Sequence, residues 1–190
     1  MFSNNFRNNN GFTIVELLIT IGIAAILTAF ALPGLNSLSV NMRVDSEISE
    51  LHRLLLTARN TAINSEQNVT ICPLNDSSTC VGGANWRNEI SVFVDTDSDA
   101  VYDDGERLIK VKNAVNNDDL LESTLTSITY TPSGRTLVAA EGVFSYCPSG
   151  YNDSSRGVEL STSGRVNTTS DRDNDDKDET REGDEIACTL

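Results

Sequence analysis

The chain has one histidine, His52, one tryptophan, Trp86, and two methionines. A lone imidazole with no acid placed beside it by a motif offers no nucleophile–base pair, and scattered acids make no glycosidase, so the chain reads as non-enzymatic. Basic residues are scarce as well: 14 Lys plus Arg face 28 Asp plus Glu, for a formal net charge of −14. Phosphate binding draws most of its free energy from Lys and Arg releasing counterions, so nucleic acid is disfavoured as a partner and any DNA contact needs a local basic patch. Apolar residues are not scarce. At 38% hydrophobic and 22% charged, the 190 residues exclude a wholly disordered chain and give room for one modest domain.

The apolar residues are unevenly spread. An 11-residue polar start, MFSNNFRNNNG, with five Asn and one Arg, precedes 19 uncharged residues from Leu17 to Leu35. At about 1.5 Å per residue such a run nearly covers the ~30 Å hydrocarbon layer, which fits a membrane span or an export signal. A secretory signal would use Arg7 as its basic start and Ala29-Phe30-Ala31 as its cleavage site. Glu16 speaks against that reading and equally against a plain anchor. An ionised group inside a span costs about 2.5 to 3.5 kcal/mol on insertion scales, and such groups usually have a partner.

Gly11-Phe12-Thr13-Ile14-Val15-Glu16-Leu17-Leu18-Ile19, followed by an unbroken apolar run with Pro33 near its end, resembles the class III signal of type IV prepilins and type II secretion pseudopilins. The resemblance implies cleavage between Gly11 and Phe12 by a membrane prepilin peptidase, which then methylates the new Phe12 amine. It also implies that Glu16 pairs with the N-terminal amine of a neighbouring subunit in a filament. Such a pair in a low-dielectric bundle is favourable only in register, so it could set the axial step between subunits. Arg7 alone supplies the positive charge that would hold the leader on the cytoplasmic side.

Beyond Pro33 the pattern turns amphipathic. Val44, Ile48, Leu51, Leu55, Ala58 and Ala62 recur at steps of four and three, while Arg43, Asp45, Glu47, Glu50, Arg53 and Arg59 fall mostly off that stripe. This predicts a second helical half from about Ser37 to Ile63 packed on a sheet. Pro33 and Gly34 either kink one helix or separate two. From Asn68 the text becomes β-like, with strands expected at 69–72, 90–94, 108–111, 128–131, 143–147 and 158–161, bounded by Gly, Pro, Asn, Asp or Ser. The fold class is α+β: a long N-terminal helix, membrane-spanning and then amphipathic, packed on an antiparallel sheet domain. The expected divisions are a leader at 1–11, a span and filament-core helix at 12–35, an amphipathic half at 36–64 and a periplasmic β-rich domain at 65–190.

Arg59 to Ile63, Asn68 to Pro73, Trp86 ahead of Ile90 to Asp95, and Asp103 to Arg107 together are similar to the FimT/FimU and GspH group of minor pilins, as are Ser163-Gly164-Arg165-Val166 and the late Cys188. Ser133-Gly134-Arg135 echoes the later turn, and two Gly-containing hairpin loops account for both. Four cysteines in a domain delivered to an oxidising periplasm read as disulfides. Of three pairings, Cys72 with Cys80 and Cys147 with Cys188 are favoured. Zinc is disfavoured, since Cys72 and Cys80 lack knuckle spacing and His52 is distant in sequence.

Asp95, Asp97, Asp99, Asp103 and Glu106 occupy positions 1, 3, 5, 9 and 12 of a twelve-residue window, the ligand spacing of an EF-hand calcium loop. Ala100 stands where that loop needs Gly, and the flanks read as strands, so a solvated acidic hairpin is the competing reading. Residues 171–185 hold nine acids and three bases with no apolar residue, and read as a mobile acidic loop. No cofactor other than calcium is expected. The resemblance implies a minor pilin that helps to start assembly of a type IV pilus, near its tip, with other minor and major pilins, the prepilin peptidase and an inner-membrane assembly platform as partners. Its expected location is the bacterial inner membrane, single-pass, with the domain in the periplasm. A minor pseudopilin of type II secretion shares the signal and fold. An accessory DNA-uptake pilin would use Arg165, but the second Arg of the Gly-Arg-any-Arg motif is replaced by Asn167.

Overall fold

A computed structural model describes residues 11–137 and 141–188, the side chains of residues 29–34 and Ala84 excepted. Apart from Gly11, the expected leader lies outside the described residues. One helix, α1 (Ile14–Ser65), is followed by eight strands: β1 (Val69–Pro73), β2 (Ile90–Val94), β3 (Leu108–Lys112), β4 (Leu120–Ser123), β5 (Ile128–Tyr130), β6 (Gly142–Cys147), β7 (Arg156–Leu160) and β8 (Val166–Thr168). The fold is α+β.

Thr13 starts α1. Its Oγ1 accepts the Glu16 N–H at 3.2 Å, one of the donors that the first helical turn leaves unpaired, and its carbonyl accepts that of Leu17 at 3.1 Å as the first intrahelical bond. Thr13-x-x-Glu16 is also the spacing of a capping box, and a carboxylate in the first turn meets the positive end of the helix dipole. Helix α1 is assigned without a break through Pro33 and Gly34, so the alternative of two helices is not realised. Loss of the one donor at Pro33 does not end the element.

The chain divides into two compact units, residues 1–39 and 40–190. In the first, α1 is apolar on every side, and Phe12, Ile14, Leu17, Ile21 and Ile26 are all exposed. Its two threonine hydroxyls are satisfied within the helix, Thr20 donating to the Leu17 carbonyl at 2.8 Å and Thr28 to that of Ala24 at 3.0 Å. Among the described residues no helix is long and apolar enough to cross a membrane. The span expected at 12–35 includes residues 29–34, and the described stretch from Ile14 to Thr28 falls short of the about 20 residues that a span requires.

In the second unit the periodic stripe is the core-facing side of α1. Val40, Val44, Ile48, Leu51, Leu54, Leu55, Ala58 and Ala62 are buried among residues of the strands. Full burial of each Leu or Val stabilises by roughly 1.5–3 kcal/mol.

The strands form two four-stranded antiparallel sheets, ordered β3-β2-β1-β5 and β4-β6-β7-β8. β1 and β2 are buried along their whole length, Thr70 and Ser91 included, whereas β3 alternates and forms an edge. A 3-10 turn, Ala84–Arg87, packs on β4 and β1 and so bridges the sheets. Its Trp86 is fully buried, donates its indole N–H to the Leu125 carbonyl at 2.7 Å and meets Phe144 edge to face at 4.8 Å between ring centres. β4 and β8 are absent from the sequence expectation. Leu120-Leu121-Glu122-Ser123 and Val166-Asn167-Thr168 are too short and too polar for alternation to mark them.

Cys72 on β1 is bonded to Cys80, and Cys147 at the end of β6 to Cys188, with Cα separations of 5.5 and 6.1 Å. The second crosslink spans 41 residues, which removes about 4 kcal/mol of chain entropy from the unfolded state.

Candidate functional site

Gly11, Phe12 and Thr13 precede the helix in non-helical conformation and are exposed, Phe12 at 81%. An open, non-helical segment is what a peptidase needs at a scissile bond, and a β-carbon on Gly11 would meet nothing within 4 Å. One turn further, Glu16 is exposed and has no ion-pair partner among the described residues. This is a carboxylate at the head of a helix that is apolar all round, a composition suited to burial among other helices or lipid.

The other half of α1 is tied to the sheets by the charged residues beside its apolar stripe. Glu47 Oε2 lies 2.6 Å from the ammonium of Lys112, which is only 2% exposed and also donates to the Asn113 carbonyl. Asp45 is paired with Arg156 of β7. Arg59 Nε donates to the Gly134 carbonyl at 2.9 Å. Arg43 donates from Nη2 to Asp119 Oδ1 at 3.2 Å, and its Nε stands 3.0 Å from Oδ2 outside hydrogen-bond geometry.

Asp119 is the centre of this attachment, and no pattern in the sequence marks it. It is fully buried and accepts the Tyr146 hydroxyl at 2.5 Å and the Ser149 N–H at 2.9 Å besides Arg43. In sequence it stands in a polar Asn-Asn-Asp-Asp run that looks like an exposed turn. Burial pushes the Tyr146 pKa above its usual value, and the bond to Asp119 pushes it the same way.

Of the five expected calcium ligands, Asp95, Asp97 and Asp99 each bring an oxygen within 4.8 Å of the others, while Asp103 and Glu106 are not in that cluster. Glu106 instead accepts the backbone N–H of Thr96 at 2.8 Å and of Asp103 at 3.2 Å. Asp95 is fully buried with both oxygens engaged, by Ser98 N–H, by Ala100 N–H and by the Thr70 hydroxyl. The acidic segment 171–185 is not simply a solvated loop: Glu179 and Thr180 are buried, and Glu179 bridges to Ser170 and Glu185.

Arg165 is exposed at the end of a turn, its N–H donating to Ser161 Oγ at 3.2 Å. His52 is half-buried on α1. A cleft of 510 Å³ beside β6 and β7 is lined by Glu122, Glu159, Glu182, Asp184 and Arg181 among others, an acidic surface unsuited to phosphate.

A family model described as type II transport protein GspH matches residues 47–164, and one described as the prokaryotic N-terminal methylation motif matches residues 6–32. Among solved structures, the chain is similar to the type IV minor pilin FimU of Pseudomonas aeruginosa at 20% identity and a TM-score of 0.52, over 65% of this chain and 86% of that one. It is also similar to the minor pseudopilin EpsH from the type II secretion system of Vibrio cholerae, at 12% identity and a TM-score of 0.49, over 72% of this chain and 99% of that one. The FimU likeness establishes the fold.

Proposed function

Because the chain belongs to the type II transport protein GspH family of minor pilins and pseudopilins, we propose that it is a minor pilin built into a type IV pilus, where it helps to start assembly near the tip. The observation that carries this reading is the first half of α1: apolar on every side, exposed, and headed by Glu16 one turn after the Gly11-Phe12 bond. A prepilin peptidase cleaves that bond and methylates Phe12, a reading supported by the methylation motif over residues 6–32. Before assembly the helix resides in the bacterial inner membrane, single-pass, with the domain in the periplasm. The inner-membrane assembly platform then brings it among the helices of other minor and major pilins. Its apolar surface is buried there, and the Glu16 carboxylate pairs with a neighbouring subunit's N-terminal amine. Each charge alone would be costly in that setting, so the pair forms only in register. The mechanism is structural and asks for no catalytic group.

A second reading, a minor pseudopilin of type II secretion, is favoured by the description of the matching family. An in-frame deletion separates the two. Loss of pili sheared from the surface, with major pilin retained in the membrane and recovery on complementation, supports the pilus reading. Unchanged pili with lost secretion of exoproteins supports the pseudopilin and overturns it. DNA uptake through Arg165 has no comparable support, since the adjoining segments are acidic.

A further inference from the structure

The acidic segment holds a feature for which filament assembly has no use. Asp171, Asp173, Asp175 and Glu179 each place a carboxylate oxygen within 4.8 Å of those of the other three. The three aspartates are exposed, but Glu179 is only 5% exposed. Its Oε2 accepts the Arg172 N–H at 2.8 Å, while its Oε1 is buried and has no hydrogen-bond partner among the described residues. A buried carboxylate oxygen without a donor carries its full desolvation penalty, and three neighbouring carboxylates add repulsion. Only positive charge relieves both.

Among the described residues the side-chain cations nearby lie mainly against other acids, and Lys177 alone reaches the cluster, through its longer contact to Asp175. Lys177 Nζ stands 2.9 Å from Glu185 Oε2 and only 3.9 Å from Asp175 Oδ2. Arg172 donates to the Arg181 carbonyl, Arg181 lies against Glu159, and Arg156 faces Asp45 and Asp178. The second acidic cluster makes an instructive contrast, because the buried Asp95 there has donors on both oxygens.

We propose that Asp171, Asp173, Asp175 and Glu179 form a site for one divalent cation of the calcium class. Ligands on opposite sides of an ion with bonds of about 2.3–2.6 Å are about 5 Å apart, so oxygens within 4.8 Å of one another can share it. All-oxygen donors select a hard cation over zinc or copper. An irregular set of protein oxygens completed by water suits calcium, whereas magnesium requires a near-ideal octahedron at about 2.0–2.1 Å. The ion fastens the segment between β8 and Cys188. Asp178, next to Glu179, accepts the Thr169 hydroxyl at 2.8 Å and, through its carbonyl, the Ile186 N–H at 2.9 Å, so an ion held by Glu179 steadies both ends of this stretch.

The test titrates the full chain in detergent, stripped with a chelator, with calcium chloride by calorimetry, and follows tryptic cleavage after Arg172, Lys177 and Arg181. The expected result is saturable binding and slower cleavage with calcium. Glu179→Gln should remove one bound calcium per chain and the protection, as should Asp173→Asn, an exposed position whose change leaves the fold intact. Asp97→Asn should keep both. No binding at millimolar calcium, or unchanged stoichiometry and protection in both Glu179→Gln and Asp173→Asn, overturns the site. Equal protection by equal magnesium overturns its calcium class.

Discussion

The backbone of Gly164 lies so close to that of Gly134 that a β-carbon added to Gly164 would stand 2.2 Å from the Gly134 carbonyl oxygen. The two residues occupy matching turns. In each, the Gly N–H donates to the residue three earlier at 2.8 Å, Thr131 in one and Ser161 in the other, and both glycines have positive φ, 73° and 75°. The Gly134 carbonyl accepts the Arg59 side chain of α1, so the two turns pack backbone on backbone and the helix is tied to the first of them through a guanidinium. Gly164→Ala is expected to cost about 2 kcal/mol or more, from the left-handed conformation and the forced separation of the turns together. Thermal unfolding of the full chain in detergent checks this. An unchanged midpoint would mean that the turns separate freely.

The echo of Ser-Gly-Arg is visible in the sequence, and two hairpin loops account for each turn singly. Their stacking is not visible there, because it depends on how the two sheets meet. The same division holds elsewhere. The stripe from Val44 to Ala62 and the strands around Ile71, Val92 and Phe144 follow from periodicity and local composition. Asp119 and Glu179 sit in polar runs whose composition describes solvent, and only tertiary structure buries them. For the same reason Asp103 and Glu106 match a ligand spacing in one dimension while Glu106 binds backbone in three. At the N-terminus a short contiguous segment carries the motif, which is why the methylation-motif match over residues 6–32 is legible in one dimension.

Asp119 offers a direct test of how the domain is held to α1. Asp119→Ala leaves the Tyr146 hydroxyl, the Ser149 N–H and the Arg43 guanidinium without their shared acceptor. Removing one member of a buried charged network typically costs about 3–5 kcal/mol. Arg43, more than a third exposed, can turn to water, so the lower end is expected. Denaturant unfolding followed by Trp86 fluorescence measures it. A loss under about 1 kcal/mol would show that the network is dispensable.

Alkaline pH should unfold the domain through two tyrosines. Burial raises the Tyr130 pKa well above its usual value of 10, with Arg59 opposing, and raises that of Tyr146 together with Asp119. A folded-state pKa above the unfolded one stabilises fully below the unfolded value, and this contribution falls as pH rises past it toward the folded value. Stability should therefore hold up to about pH 10 and decline above it. Circular dichroism and tyrosinate absorbance recorded together check this. Ionisation of both tyrosines with native dichroism intact would contradict their burial. Tyr130→Phe should soften the decline without the loss of a hydrogen bond, because the Tyr130 hydroxyl has no hydrogen-bond partner among the described residues.

Glu16 carries the sharpest prediction for assembly. Its side chain lies on an exposed first turn that Thr13 already caps by accepting the Glu16 backbone N–H on Oγ1, so Glu16→Ala should leave α1 and the domain folded, at a cost of a few tenths to about 1 kcal/mol from the lost dipole interaction. Cleavage between Gly11 and Phe12 should proceed, since the scissile bond lies outside the helix. Incorporation should fail, because a neighbour's amine buried beside the truncated side chain keeps its charge and loses its partner. Glu16→Gln distinguishes charge from size and should fail likewise, while Glu16→Asp should retain part of the activity if its carboxylate reaches the amine. Immunoblots of membranes report processing, and sheared filaments report incorporation. Processed Glu16→Gln protein found in filaments at the wild-type level would remove the charge pair from the mechanism and leave apolar burial of α1 as the force that seats the subunit.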